Sequence, residues 1–471
     1  MPPFLRPLFK TLPTLILILI IPSLCILSTL LRPSPPLPQS PTTPTTTPTS
    51  LRHLAFAIAA SAGSLPTRLP YLQTWWPPNP SRAFLFLDRR PPSNWTAHLG
   101  GPTRYVVSEG TQRFPYLYRG GTRSAIRVAR IVKEVVGALG RDDDDDDDDD
   151  VRWYVFGDDD TVFFVDNLVG VLGKYDHRLW YYVGSWSESV EQNVRYSFDM
   201  AFGGGGFAIS AALGKVLATV LDGCLMRYGH LYGSDARVFA CLAELGVGLT
   251  REPGFHQVDL RGDISGMLLA HPLAPLVSLH HLDYVEPIFP GMNRTQALKH
   301  LFESVKFDSE RVLQQTVCYD RSKSWTISVS WGYAVQVFEG VKPLPDLLQL
   351  QRTFMPWKRG TNIKGPYMFN VNELPRNPCE RPPIFFMRNI STDKGLIWSS
   401  YNRYLPKNCT RSGSTKKLEQ IKVFSRKKEL DDEQLWAPRR QCCHVVPSFS
   451  PRELEIGIRP CGNEELISIS T

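Results

Sequence analysis

Trp153-Tyr154-Val155-Phe156-Gly157-Asp158-Asp159-Asp160-Thr161 decides how this chain is read, because an apolar run stops abruptly at three carboxylates. Four aromatic or β-branched residues in succession suit a strand covered on both faces. Gly157 lets the backbone turn where the sheet ends, so Asp158 and Asp160 leave the strand end together. Oxygen ligands there select a hard divalent cation such as Mg2+ or Mn2+. An isolated Asp-Asp-Asp triplet is an ordinary acidic turn. The buried strand before this one, and Thr161-Val162-Phe163-Phe164 after it, give it the setting of a site.

Just upstream, Asp142 to Asp150 form nine consecutive aspartates. Like charges at that density repel and cannot be buried unpaired, so this tract reads as a solvated, disordered loop, with calcium buffering as the alternative. Further upstream, Leu54 to Ala60, Ala83 to Asp88 and Arg104 to Val107 read as successive strands. Val128, Val132, Val135, Val136 and Leu139 then recur at helical spacing, with Arg123, Arg127, Arg130 and Glu134 on another face. Alternating strand and helix leads to an α/β fold, a mostly parallel twisted sheet flanked by helices. Its ligand crevice belongs at the carboxyl ends of the strands, where Asp158 to Asp160 fall.

Downstream, Trp180 to Gly184 reads as a strand, Ala211 to Cys224 as a helix, and Ser234 to Leu245 as a helix begun by a serine cap. Between the first two lies Phe202-Gly203-Gly204-Gly205-Gly206-Phe207. Four glycines strip a stretch of backbone of side chains, which permits either close approach of a ligand or a plain flexible turn. No Gly-x-Gly-x-x-Gly or Gly-Lys-Ser/Thr spacing marks it as a nucleotide fingerprint. Past Val317 the pattern changes to short strands, Trp325 to Trp331 and Ala334 to Phe338, and then to a Pro-, Cys- and Arg-rich region. A boundary near Asp320 separates residues 51–320 from a disulfide-stapled β and loop region, 321–471. The aromatics there suit either packing or acceptor contact.

The 471 residues are 42% hydrophobic, enough for a sizeable core. A net charge of +7 with scattered bases lacks the basic stripe of a nucleic-acid binder, so no nucleic-acid partner is expected. Leu12 to Leu31 is apolar and long enough to span a bilayer. With Arg6 and Lys10 ahead of it, it predicts a cytoplasmic tail (1–11), an uncleaved signal anchor (12–31) and a Pro/Thr-rich stem (32–50). Eight of the nine cysteines lie beyond this segment, as do the sequons at Asn94, Asn293, Asn389 and Asn408. Both counts suit the secretory lumen. Cys379, Cys409, Cys442, Cys443 and Cys461 are expected to staple the tail, and adjacent Cys442 and Cys443 lack a zinc spacing.

In combination, the stem, the acidic strand end, the glycine run, Gly233-Ser234-Asp235 and His280-His281-Leu282-Asp283 resemble Fringe and its β-1,3-glycosyltransferase relatives, most of all their plant branch. The resemblance covers roughly Leu54 to Pro290. It implies a Golgi membrane enzyme, single-pass type II, with a GT-A fold, a UDP-sugar donor, a glycan or glycoprotein acceptor, and Mn2+ (or Mg2+). By position, Asp158 and Asp160 would be metal ligands with His281 as the third, and His280 as its competitor. Asp158 and Asp159, Gly204 and Gly205, and Arg68 and Arg123 would serve the donor. Asp235 would be the general base, although the family's Pro-Asp-Asp context is absent and Gly205 stands where an alanine is usual. A helix N-terminal carboxylate facing the macrodipole is the structural alternative for Asp235. The chemistry needs these types in any case, since a hydroxyl attacking a sugar C1 must lose a proton while a diphosphate leaves. A non-catalytic carbohydrate-binding scaffold and a metal-dependent hydrolase are the competing classes. A hydrolase would want a second acidic cluster, which the sequence does not supply.

Overall fold

The computed structural model describes residues 47–76, 82–91, 104–140, 150–358, 366–410, 412–429, 431–447 and 450–468. The acidic run up to Asp149, the Asn94 sequon and the Leu12 to Leu31 segment lie outside them. Membrane anchorage is corrected: among the described residues no helix is long and apolar enough to cross a membrane, and no anchor is shown.

Strand β1 (Leu54–Ala59) shows why the sheet forms. All six residues are buried, and they alternate between two cores: Leu54, Phe56 and Ile58 enter one, Ala55, Ala57 and Ala59 the other. β2 (Ala83–Leu87), β3 (Arg104–Val107) and β4 (Trp153–Asp158) run parallel to it. β4 repeats the alternation, with Trp153 and Val155 on the first face and Tyr154 and Phe156 on the second. Period-2 patterning with both faces apolar is what a doubly covered sheet requires, and each fully buried Phe or Leu stabilises it by about 1.5–3 kcal/mol.

After β5 (Val162–Phe163), the strands β6 (Tyr182–Gly184), β7 (Phe207–Ser210) and β8 (Leu249–Arg251) complete a seven-stranded sheet in the order β3-β2-β1-β4-β7-β6-β8. Only β7 runs against the other six. The helices Ser124–Leu139, Ala211–Arg227 and Ser234–Glu244 cover the alanine face of β1. Cys224 and Cys241 join the last two of these helices. A smaller sheet of β5, β9 (Phe255–His256) and β11 (Ser278–Leu279) lies beside the carboxyl ends, and β10 (Leu260–Gly262) pairs antiparallel with the strand Phe354–Pro356. The helix Arg294–Asp308 starts at a capping box in which Asn293 accepts the Gln296 N–H and Gln296 accepts that of Asn293.

The C-terminal region is a second sheet of eight strands, in spatial order Gln315–Asp320, Trp325–Ser330, Ala334–Glu339, Ile384–Asp393, Leu396–Tyr404, Gln420–Ser425, Glu453–Arg459 and Cys442–Val446. Ile327, Val329, Val335 and Val337 join the same core as Phe56 and Trp153. Disulfides Cys318–Cys443, Cys379–Cys409 and Cys442–Cys461 staple it. Adjacent Cys442 and Cys443 point to opposite faces of their strand and so take different partners.

Candidate metal and active site

Register places the site. Ala59 and Asp158 are partners at the carboxyl ends of β1 and β4, and β7 enters antiparallel with Phe207 opposite Phe156, which lays the glycine run across the same end. There Asp158, Asp160 and His280 bring three ligand atoms within 4.8 Å of one another. His280 Nε2 lies 3.0 Å from Asp160 Oδ1 and 3.9 Å from Asp158 Oδ2, and its buried Nδ1 has no hydrogen-bond partner among the described residues.

Gly204 makes room for that imidazole. A Cβ on Gly204 would stand 2.1 Å from His280 Cε1, so no other residue fits without moving the ring. The Thr161 hydroxyl locks the arrangement, donating to the Gly204 carbonyl (2.7 Å) while accepting the Asp158 N–H (2.8 Å). Gly206 takes φ +83°, which glycine alone adopts freely.

The electrostatics follow from close packing of charge. Burial pushes Asp160 up, but His280 and Arg68 outweigh it and hold the carboxyl well below its ordinary value. Burial likewise lowers His280, and the Asp160 carboxylate outweighs that, leaving the imidazole above its ordinary value. Asp158 is pushed up to about 7, first by desolvation and then by the neighbouring carboxylates, with His280 opposing. Two carboxylates and an imidazole are a donor set suited to Mn2+ or Mg2+. The room at Gly204 and the mutual reach of the three ligand atoms fit such an ion.

A cavity of about 410 Å3 opens beside this group, lined in part by Asp158, Gly204, Asp235, Gln257, Asp259 and His280. Ala57 and Ala59 form part of its wall, and their small side chains leave space at the sheet end. Asp235 sits in the first turn of Ser234–Glu244, whose N-cap is Gly233 and not the expected serine. Its carboxylate accepts the Ala236 N–H at 2.9 Å and the Gly203 N–H at 3.5 Å. Burial nevertheless raises its pKa.

The structure brings together only some of the residues the sequence nominated. Asp158, Gly204, Asp235 and His281 share the cavity wall, with Asp160 joined to it through His280. His281 is corrected as the metal ligand. It is His280 that joins Asp158 and Asp160, while His281, on a left-handed backbone (φ 54°), packs its ring 3.9 Å from that of His280, sets Nδ1 3.1 Å from the Asp259 carboxylate and stacks on Trp357 at 4.2 Å. Arg123 is corrected as a donor residue, because its guanidinium donates to the carbonyls of Thr111, Gln112 and Phe114 and clamps that loop. Gly205 turns under the site, its N–H bound by Gln257 Oε1 at 2.6 Å and its carbonyl by Ser278. Asp159 accepts the Ser64 hydroxyl at 2.8 Å, behind the cavity. Arg68 bridges Asp160 (2.9 Å), Asp159 (3.8 Å) and Asp283.

Gln257 and Asp259 were missed. Between them Val258 holds φ 53°, costly for a β-branched residue and typical of a site over-determined by its surroundings. Ser187 donates to Asp259 at 2.6 Å, and Glu188 binds both the Asp259 N–H (3.3 Å) and His256 (3.1 Å). The sequence signal was polar Gln257 and Asp259 set between Phe255, Val258 and Leu260, all three buried.

Compared with known families, residues 192–443 match the model described as "Protein of unknown function, DUF604". No curated protein matches the chain.

Proposed function

We propose that this chain, which belongs to the DUF604 family, is a metal-dependent, inverting glycosyltransferase of GT-A type. It would transfer a hexose or N-acetylhexosamine from a UDP-sugar to a hydroxyl of a glycan or glycoprotein, in β-1,3 linkage. One observation carries the reading: the Asp158, Asp160 and His280 group lies at the carboxyl end of a buried parallel strand and shares a cavity wall with a second, separately held carboxylate, Asp235. The motif order that resembles Fringe-type enzymes supplies the donor class.

Asp158, Asp160 and His280 would hold Mn2+ or Mg2+, which when bound supplies Lewis-acid stabilisation of the leaving diphosphate. Asp235 accepts the proton of the attacking hydroxyl at Oδ1 or Oδ2, and the Gly203 and Ala236 N–H groups fix its carboxylate for that task. In-line attack inverts the anomeric carbon. His280 and, after it, Arg68 keep Asp160 ionised, and Gln257 holds the glycine run in place through Gly205.

The test is hydrolysis and transfer from a panel of UDP-sugars by the purified protein, with Mn2+ and with chelator, beside Asp160→Ala and Asp235→Asn. Turnover of one sugar nucleotide, lost with chelator and in Asp160→Ala, is the expected result. Binding of sugar nucleotide without turnover under any condition would move the chain to the non-catalytic carbohydrate-binding class.

A further inference from the structure

A second cavity, about 810 Å3, opens in the C-terminal region between the large sheet and its connecting loops. Its chemistry differs from that of the first. Gln336 and Gln351 line it and bind each other reciprocally, Nε2 to Oε1, at 2.9 and 2.7 Å. Gln336 is only 6% exposed. Each amide has two donors and two lone pairs, so the pair holds its own geometry while each member keeps a donor and an acceptor for a ligand. Phe338, Phe386 and Tyr404 add aromatic surface. Tyr404 is 40% exposed, and its ring meets that of Phe386 at 5.8 Å.

Five carboxylates line the cavity against three cations. Arg381 and Arg403 donate to carbonyls of the cavity wall itself, Pro375 (3.0 Å) and Thr415 (2.6 Å), and of the five carboxylates Glu373 pairs with Arg352, which still leaves the acids in excess. An anionic ligand therefore meets net repulsion. A neutral ligand bearing many hydroxyls, with C–H faces to lay on aromatic rings, meets acceptors, amides and apolar surface together. That describes a neutral oligosaccharide.

The two cavities are joined by a short ribbon. β10 and Phe354–Pro356 pair with Leu260 opposite Pro356 and Gly262 opposite Phe354. At one end, Asp259 and Trp357 line the first cavity; at the other, Asp263 and Thr353 line the second. Four residues of strand span about 13 Å. We infer that the second cavity binds neutral oligosaccharide and holds the body of an acceptor chain whose end reaches Asp235. The second half of that statement rests on the transferase reading.

The experiment is calorimetric titration of the full chain, as Asp160→Ala to prevent turnover, with three probes. These are neutral oligosaccharides of glucose, galactose, mannose or xylose, an acidic galacturonate series, and a peptide of residues 33–50. The expected result is binding of a neutral series that strengthens with chain length, needs no Mn2+, and weakens about tenfold or more in both Gln351→Leu and Tyr404→Ala. Tyr404 is exposed enough for its variant to fold. Absence of neutral binding, preference for the acidic series or the peptide, or indifference to both variants would overturn the proposal. Neutral binding that meets these criteria in a protein without UDP-sugar turnover would uphold the site and remove only the transferase reading.

Discussion

The two cavities lie at opposite ends of one ribbon and are built from opposite materials. The first concentrates charge: Asp158, Asp160, His280 and Asp235 crowd a sheet end where each alters its neighbours' proton affinity. The second places a neutral amide pair among aromatic rings. Charge crowding suits a cation and proton transfer, whereas unstrained amides suit recognition. On the proposed reading the first is a place for chemistry and the second a place for grip, and variants in one should leave the other's signature intact.

The largest expected effect tests that separation at the base. Asp235→Asn keeps the shape of the carboxylate but removes its proton affinity, so kcat should fall roughly 10²- to 10⁴-fold while sugar-nucleotide binding stays near wild type. Steady-state kinetics beside oligosaccharide titration reads both. A parallel loss of oligosaccharide affinity would mean that the two cavities are one site.

Next comes the staple of the second region. Cys379 and Cys409 close a 30-residue separation at the lip of the larger cavity, and loop closure of that length stabilises by about 3–4 kcal/mol. Replacing both by serine should lower the unfolding midpoint and weaken oligosaccharide binding. The rise in midpoint on adding Mn2+ should persist, and its disappearance would break the proposed independence.

A smaller effect belongs to Gly204→Ala, whose Cβ meets the His280 ring. Displacing that ring should cost about 1–3 kcal/mol and abolish the Mn2+-induced rise in midpoint. Gly137→Ala is the control, since nothing lies within 4 Å of a Cβ there and the change should stabilise its helix by about 0.5–1 kcal/mol. An unchanged Mn2+ response in Gly204→Ala would remove His280 from the ligand set.

How much of this could be read beforehand depends on how local each feature is. β1 and β4 announce themselves because every residue of the first, and Trp153 to Phe156 of the second, enters one of two apolar cores, and Asp158 to Asp160 are conspicuous where that run stops. The choice between His280 and His281 was not legible, since adjacent imidazoles read alike and only the fold shows that one reaches Asp158 and Asp160 and the other Asp259. Arg123 looked like a ligand-binding cation at a helix start, yet three carbonyls from residues 111–114 absorb it. Asp259 gains its role from Ser187, 72 residues earlier. The second cavity is more distributed still, joining strands and loops from Asp263 to Thr415, and no window of sequence displays an amide pair that forms only when Gln336 meets Gln351.

The smallest effect separates function from stability at a single carboxyl. Burial raises the Asp235 pKa in the folded chain, whereas the unfolded chain titrates near the ordinary value of about 3.9. Between those two values the folded state holds the proton more tightly. The stability this contributes is therefore complete below the unfolded pKa and is lost as pH rises through the folded one. Above that window the ionised group is held against the desolvation it suffers. Asp235→Asn should accordingly be more stable than wild type near neutral pH, by about 0.5–2 kcal/mol, with the gain shrinking as pH falls through the window. The kcat of the wild type should rise with pH across the same interval, because only the ionised carboxylate accepts a proton. Urea unfolding of both proteins from pH 4 to pH 8, set beside the pH profile of kcat, tests whether one group governs both curves. Superimposable stability curves would mean that Asp235 is an ordinary helix-capping carboxylate and not the base.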